Sequence, residues 1–461
     1  MGQRKIIREG TPMRKLSLKE RRTTFKEVAL GYNLEEALRE AERCLQCPQP
    51  PCVKACPLHI DIPGFIRLLK ERRFEEAIEK IKETNEFPAI TGRVCPQELL
   101  CQEVCVMKRI GDPVFIGRLE RFLGDYEIKK GIKVPEKIVE NGKSVAIVGS
   151  GPAGLFAAAR LRKLGYKVTI YEALHRPGGV MVYGIPEFRL PRHVLDAYIN
   201  YLRKLGVEIK VDHVVGKAVT VAELLKEYDA VLISTGAGTP RFLRIPGEEL
   251  NGIYSANEFL IRVNLMKAYR FPDYDTPIKV GKRVVVVGGG NTAMDVARIS
   301  LRLGAEVTII YRRTEKEMPA RREEVENAME EGVKFQFLTQ PIEFIGDEKG
   351  WVKKIRCIKM RLGEPDESGR RRPIPIPGSE FEIEADTVVI AIGASVNPII
   401  QATTPGLKAD RKGRIIVDEN GRTSLDRVYA AGDVTSGEGT VIEALAEALK
   451  AVNSIHRDLE S

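Results

Sequence analysis

The feature that most restricts how this 461-residue chain can fold is a unit that occurs twice. Val145–Glu172 and Val284–Tyr311 align without a gap and share ten identities in 28 positions. Each copy runs from an apolar strand into a glycine turn, then a helical stretch, then a second apolar strand, which is the βαβ pattern of a nucleotide-binding half. A buried parallel strand that ends in glycines lets the backbone approach a pyrophosphate. The free N–H groups and positive dipole end of the following helix can then hold it. In the first copy Gly149, Gly151 and Gly154, with Ala153 among them, complete G-x-G-x-x-G. In the second Gly288, Gly289, Gly290, Asn291, Thr292 and Ala293 give G-x-G-x-x-A. The implied fold class is α/β, with two Rossmann-like domains.

The end of each second strand separates the two nucleotides. Glu172 stands 23 residues after Gly149, where a carboxylate accepts hydrogen bonds from both ribose hydroxyls, and this suits FAD. In the second copy the same position is Tyr311, followed by Arg312 and Arg313. Guanidinium groups there suit a 2′-phosphate, hence NADPH over NADH.

Ser234–Gly238 and Ala391–Ala394, the latter including Gly393, each follow an apolar strand and read as crossings between an FAD domain and a nucleotide domain inserted into it. The predicted organisation is a Cys-rich helical region over 1–140, FAD-binding parts over 141–240 and 394–461, and an NADPH-binding domain over 241–393. Gly131–Pro135 reads as the linker that leaves the first region, which contains amphipathic stretches at Leu34–Leu45 and Ile66–Thr84. Near the C-terminus a strand leads through Gly432 to Asp433, a candidate partner for a ribityl hydroxyl. A helix starting near Thr440 would present its N-terminus to the pyrimidine end of the flavin.

Seven of the eight cysteines lie within 62 positions: Cys44, Cys47, Cys52, Cys56, Cys95, Cys101 and Cys105. A chain of this length without a secretory signal is a poor candidate for disulfides, so metal is the main reading. Iron–sulfur clusters need thiolates at such spacings, and four-thiolate zinc sites also use C-x2-C. Disulfide reductases place a cysteine pair against the flavin or in the nucleotide domain. Here Cys357 is the only cysteine beyond Cys105, so a thioredoxin-reductase reading fails.

Net charge is +9, and residues 1–26 hold nine Lys or Arg against Glu9 and Glu20. With no nucleic-acid motif elsewhere, this tail reads as a solvated arm or one that docks an acidic partner subunit. No apolar run approaches the roughly 18 residues of a membrane span, so the expected location is the cytoplasm.

The Cys44-x2-Cys47-x4-Cys52-x3-Cys56-Pro57 and Cys95-x5-Cys101-x3-Cys105 series, both glycine fingerprints, the Gly184–Pro191 loop and Arg312-Arg313 together resemble the glutamate synthase small-subunit family. That family includes the large subunit of NADH-dependent ferredoxin:NADP oxidoreductase and the N-terminal half of dihydropyrimidine dehydrogenase. The resemblance implies a helical iron–sulfur domain ahead of two glutathione-reductase-like domains, with FAD, NADP(H) and two 4Fe-4S clusters. It assigns Cys44, Cys47, Cys52 and Cys105 to one cluster, and Cys56, Cys95, Cys101 and Glu120, in Ile116-Gly117-Arg118-Leu119-Glu120, to the other. By the same similarity Arg189 contacts FAD, Gly178-Gly179-Val180 passes over the isoalloxazine and Val94 brings the cluster domain near the flavin. Arg321 either adds to the 2′-phosphate pocket or opens a charged helix.

The implied activity passes electrons from NADPH through FAD to the clusters and on to a partner. The partner is expected to be a glutamate-synthase large subunit or a small ferredoxin-reductase-like flavoprotein, in the second case as part of an electron-bifurcating enzyme. Homo-oligomers are open, and nucleic acid and membrane are not expected partners. Hydride transfer needs no side-chain acid or base, so Asp295, His193 and Cys357 read as structural. This chain has no glutaminase or glutamate-forming barrel of its own. A reading from another class is a scaffold whose cofactors are structural.

Overall fold

The computed structural model describes residues 6–460. The two sequence copies form the centres of two five-stranded parallel sheets. In the first the order is Val428–Ala430, Ala230–Ile233, Ser144–Val148, Lys167–Tyr171, Glu208–Lys210. In the second it is Ile253–Ser255, Thr387–Ile390, Arg283–Val287, Glu306–Tyr311, Lys334–Phe337. All-parallel strands are buried on both faces, which is why Val145–Val148 and Val284–Val287 are continuous apolar runs instead of alternating ones.

The first sheet takes its last strand from residues beyond the second, so the second is an insertion. The chain enters and leaves that insertion through Thr239–Pro240 and Ala394–Ser395, which pair antiparallel. Strands Thr339–Gly346, Val352–Pro365, Arg371–Pro375 and Phe381–Glu384 form a separate antiparallel sheet within it.

The N-terminal region is helical, with Leu34–Glu42, Ile62–Lys70, Phe74–Lys82, Pro88–Val94 and Ile116–Lys130 as its main elements. The amphipathic stretch expected over Ile66–Thr84 is broken. Arg72 takes a left-handed φ of +60°, and two helices result that fold back on each other. This region shares one hydrophobic core with the first sheet. Phe87 sits edge-on to Tyr198 and Phe156 at 5.1 and 6.2 Å, and the Ala89 N–H donates to the Tyr198 hydroxyl. The linker at Gly131 therefore joins two bodies that are packed together. No helix among the described residues is long and apolar enough to cross a membrane.

The basic arm is partly docked on the chain itself: Arg21 is buried, while Arg8, Arg14, Lys19, Arg22 and Lys26 are exposed. Residues 1–5 lie outside the described residues. Arg14 pairs with Glu36 within the helical region, and Lys15 and Arg21 reach the inserted domain's helix Arg322–Glu331: Lys15 Nζ meets Asn327 at 2.8 Å, and Arg21 meets Glu330, Asn327 and Glu331 at 2.7, 2.9 and 3.2 Å. Glu331 is fully buried and also receives Arg298 and Arg302. Burial would raise its pKa, but hydrogen bonds and charge from Arg298 and Arg302 hold it at about 2.

Removing one member of a buried ionic set leaves the others uncompensated, at a cost of about 3–5 kcal/mol. Glu331→Gln should therefore lower the melting temperature and open the Arg14–Lys26 segment to trypsin. Unchanged melting and an uncut arm would show that the network does not hold the arm.

Candidate functional site

The first cradle is built by sterics. Gly149 has φ +101°, and a Cβ there would lie 2.6 Å from the Ser234 carbonyl oxygen. A Cβ on Gly154 would lie 2.0 Å from the Gly149 oxygen, so only glycine lets helix Pro152–Lys163 seat against the turn. Gly151, the N-cap, differs: a Cβ there meets nothing within 4 Å. The space it leaves, in front of a helix N-terminus, is a cradle for a pyrophosphate. Ala153 packs against Gly432, whose Cβ would lie 3.2 Å from the Ala153 methyl.

Glu172 is buried at the end of the second strand and accepts the N–H groups of Ser150 at 3.0 Å and Leu174 at 2.8 Å, together with the Ser150 hydroxyl. The same hydroxyl accepts the Gly178 N–H at 3.0 Å, so Ser150 ties the carboxylate to the Gly178–Val180 turn. Gly179 (φ +53°) brings that turn over Gly151: its Cβ would lie 2.6 Å from the Gly151 Cα. Sequence reasoning missed Ser150, because a small polar residue inside a glycine turn carries no local signal.

Thr440 caps the helix Val441–Glu460, taking part in a reciprocal pair with Glu443. Asp433 begins the short helix Asp433–Ser436. Burial pushes its carboxyl up to about 7; the Gly439 N–H opposes this, and Glu447, Glu438 and Glu443 add to it.

The second cradle repeats the plan. A Cβ on Gly288 (φ +144°) would lie 2.2 Å from the Ala391 oxygen, one on Gly289 2.7 Å from the Tyr311 ring, and one on Gly290 only in distant contact with Pro319 at 3.9 Å. Gly290 caps helix Asn291–Arg302, with Asn291 and Thr292 in its first turn. Gly393 (φ +103°) lies against the Glu438 carboxylate, which also accepts the Ala394 N–H.

The arginines separate by environment. Arg312 is exposed. Arg313 is buried, and its guanidinium donates to Asp366 Oδ2 and the Arg371 carbonyl, each at 2.7 Å. Arg321 is buried as well and faces the Cys-rich region, donating to the Arg93 carbonyl at 3.0 Å and pairing with Glu98 at 3.2 Å. Arg189 pairs with Asp295 at 2.8 Å and Glu324 at 3.2 Å, so in this structure its charge is spent across the domain boundary.

The cysteines line two cavities. One is walled by Cys44, Cys47, Cys52 and Cys105, the other by Cys56, Cys95, Cys101 and Glu120. Ile62 and Ile116 border both, so the cavities are neighbours. The second also touches Ile442, in the first turn of the helix that Thr440 caps, and thereby lies next to the first cradle. Among the described residues no three His, Cys, Asp or Glu side chains converge on a single ion; the thiols surround a space instead. That spread suits the corners of a four-iron cluster.

Burial raises the thiols of Cys95 and Cys101 well above their usual range and that of Cys52 to about 12. Burial also brings Glu120 to about 7, although its Oε1 accepts Asn85 at 2.8 Å and Thr91 at 2.6 Å. Val94 ends the helix that delivers Cys95.

Residues 143–451 match the family described as pyridine nucleotide-disulphide oxidoreductase, and residues 21–132 match dihydropyrimidine dehydrogenase domain II, 4Fe-4S cluster. The chain belongs to the pyridine nucleotide-disulphide oxidoreductase family. The glutamate synthase [NADPH] small chain of Escherichia coli is 38% identical over 97% of this chain and 96% of its own length. The NADP(+)-dependent formate dehydrogenase subunit beta of Moorella thermoacetica is 41% identical over 89% of this chain, which spans 60% of that protein. Among solved structures, Mycobacterium tuberculosis FprA in complex with NADPH superposes with a TM-score of 0.60 at 26% identity, covering 69% of this chain and 84% of that one.

Asp433 gives the first cradle a pH signature. Its carboxyl titrates above the ordinary value near 3.9, so the folded chain keeps a proton that the unfolded chain loses from about pH 4 upward. The stability it withholds therefore grows as pH rises towards 7. In flavin-free protein, the melting temperature of Asp433→Asn should gain on the parent from about pH 4 to 7 and hold a constant lead above that. A pH-independent difference would mean that the carboxyl titrates normally.

Proposed function

We propose that this chain is an NADPH-linked electron-input subunit of the glutamate synthase small-chain type, passing electrons inward from NADPH and outward through two iron–sulfur clusters to a partner. The observation that carries this reading is the row of sites: a glycine cradle, then a buried four-donor cavity, then a second four-donor cavity nearer the surface. Cys56, Cys95 and Cys101 are all buried, whereas in the other set only Cys44 is, and Cys47, Cys52 and Cys105 are part-exposed. The second set would therefore face the flavin and the first the acceptor.

When bound, FAD accepts a hydride from NADPH and releases electrons singly to four-iron clusters. The chain's own residues do the rest. Gly149, Gly151 and Gly154 open the pyrophosphate cradle, Glu172 offers a carboxylate to the adenosine ribose, and Asp433 offers one to the ribityl chain. The helix N-terminus at Thr440 supplies positive potential where negative charge develops. Arg312 is the exposed cation beside the second cradle, suited to a 2′-phosphate.

The names of the E. coli and Moorella relatives fit this reading and differ in what the electrons are for. A large subunit that makes glutamate is the partner best supported by the length match of the small chains. A ferredoxin:NADP oxidoreductase assembly would use the same row of sites with a different acceptor, and in both a soluble, cytoplasmic setting is expected.

Protein purified without oxygen should carry about eight irons and one FAD per chain, as two four-iron clusters and one flavin require. Glu120→Ala should selectively weaken one cluster; zinc in place of iron, or two unchanged clusters, would overturn the ligand set. Cys101→Ala should leave anaerobic reduction of FAD by NADPH intact and slow delivery to an external acceptor. Loss of flavin reduction in a folded, FAD-loaded Cys101→Ala chain would reverse the proposed order, and a parent chain whose flavin NADPH cannot reduce would mark the chain as a scaffold.

A further inference from the structure

We propose that the 2′-phosphate of the nucleotide is read from two sides: by Arg312 at the strand end, and by Arg370 at the tip of the hairpin between strands Val352–Pro365 and Arg371–Pro375, a specificity-determining residue. Arg313 is then a positioning residue that holds the hairpin there. The inference rests on the NADPH reading and adds to it a second element, about 60 residues further along the chain.

Strand Glu306–Tyr311 ends against the cradle. The Tyr311 ring occupies the space beside Gly289, and its hydroxyl donates to the Glu317 carbonyl at 2.9 Å. The next two residues therefore leave at the end of the cradle where the adenosine ribose of a dinucleotide lies. Arg313 turns inward and grips the hairpin through Asp366 Oδ2 and the Arg371 carbonyl.

Asp366 also organises the turn itself. Its Oδ1 accepts the N–H groups of Ser368 and Arg370 at 2.9 and 3.3 Å, its own N–H donates to the Arg370 carbonyl at 2.7 Å, and Gly369 adopts φ +76°. One carboxylate thus fixes the turn and docks it onto Arg313. Arg370 is half-buried, and its Nε donates to the Ser368 hydroxyl at 2.9 Å, which orients the guanidinium while leaving its terminal nitrogens for a ligand.

Charge balance points the same way. Three guanidinium groups, Arg312, Arg313 and Arg370, gather around one carboxylate, Asp366, a surplus of two positive charges where a phosphate monoester carries close to two negative ones. The neighbouring Glu317 keeps its charge but is turned back onto the Thr314 N–H and hydroxyl, and Arg371, a fourth guanidinium close by, offsets it. Desolvation by the surrounding chain, then Arg313 and Arg370, hold the Arg312 pKa below its usual value, with Asp366 pulling the other way.

The test uses the full cofactor-loaded chain and two probes, 2′,5′-ADP and 5′-AMP, which differ only in the 2′-phosphate, with binding followed by titration calorimetry. Arg370→Ala and Arg312→Ala should each weaken 2′,5′-ADP by about tenfold or more and leave 5′-AMP unchanged. Arg370→Lys should recover part of the loss, since it keeps the charge without the fork. Asp366→Asn, which frees the hairpin, should reproduce the selective loss.

A selective loss for Arg312→Ala but none for Arg370→Ala would overturn the hairpin's role while the NADPH reading stands. Equal weakening of both probes by Arg370→Ala would also overturn it, assigning the residue to the fold. A parent chain that binds both probes equally well would overturn the NADPH reading itself.

Discussion

The arrangement of the two cradles depends on a buried set of charges that none of the three regions could bury alone. The N-terminal arm supplies Arg21, the loop of the first nucleotide domain supplies Arg189, and the inserted domain supplies Asp295, Arg298, Arg302, Glu324 and Glu331. A buried ion is tolerated only when paired, so each of these side chains specifies where the others must be. Phe188 lies within the set, with the guanidinium carbons of Arg298 and Arg302 at 4.7 and 4.0 Å from its ring centroid, and its carbonyl accepts the Val28 N–H at 3.0 Å. Hydrophobic packing would allow the inserted domain to slide, whereas a shared set of forks and carboxylates has one satisfied geometry.

A second tie fixes the cluster region to the same domain. Arg321 opens helix Arg322–Glu331, its own N–H donates to the Asn291 side chain in the second cradle, and its guanidinium reaches the Arg93 carbonyl two residues before Cys95. One residue thus touches the nucleotide cradle with its backbone and the cysteine loop with its side chain. That placement puts a fixed positive charge near Cys95, where its effect on the thiol opposes that of burial.

What the sequence reveals and what it hides follow from the range of the interactions. The glycine fingerprints are legible because their cause is local: a Cβ on Gly154 would collide with Gly149, five residues away. The cysteine spacings are legible for the same reason, although how the seven thiols divide between two cavities came from family resemblance and not from spacing. The arm's seat was not legible, since Arg21 meets partners more than 300 positions later and a basic tail looks the same whether or not it is docked. Arg312 and Arg313 look equivalent in sequence, yet a strand end points successive side chains in opposite directions, and only one of them remains exposed. Ser150 and Asp366 were missed because the partners that give each its role are distant in the chain: Glu172 and the Gly178 N–H for Ser150, the Arg313 guanidinium for Asp366.

Depth orders the sites in a way that composition could not. The cavity next to the first cradle is lined by buried thiols and a carboxylate held by Asn85 and Thr91, and the outer one by a set of which Cys47, Cys52 and Cys105 are part-exposed. Burial raises the pKa of an isolated thiol, so the inner donors are poor nucleophiles by themselves and are stabilised as anions only when a cation shares the space. Under the proposed function, the same shell that excludes water from the inner set would keep stray oxidants from electrons in transit. The exposure of the outer set fits the proposed acceptor on another chain, which could be reached only from the surface. Under the proposed function the gradient from buried to exposed is therefore also the path of the electrons, and the charge network that locks the domains keeps the path at one length.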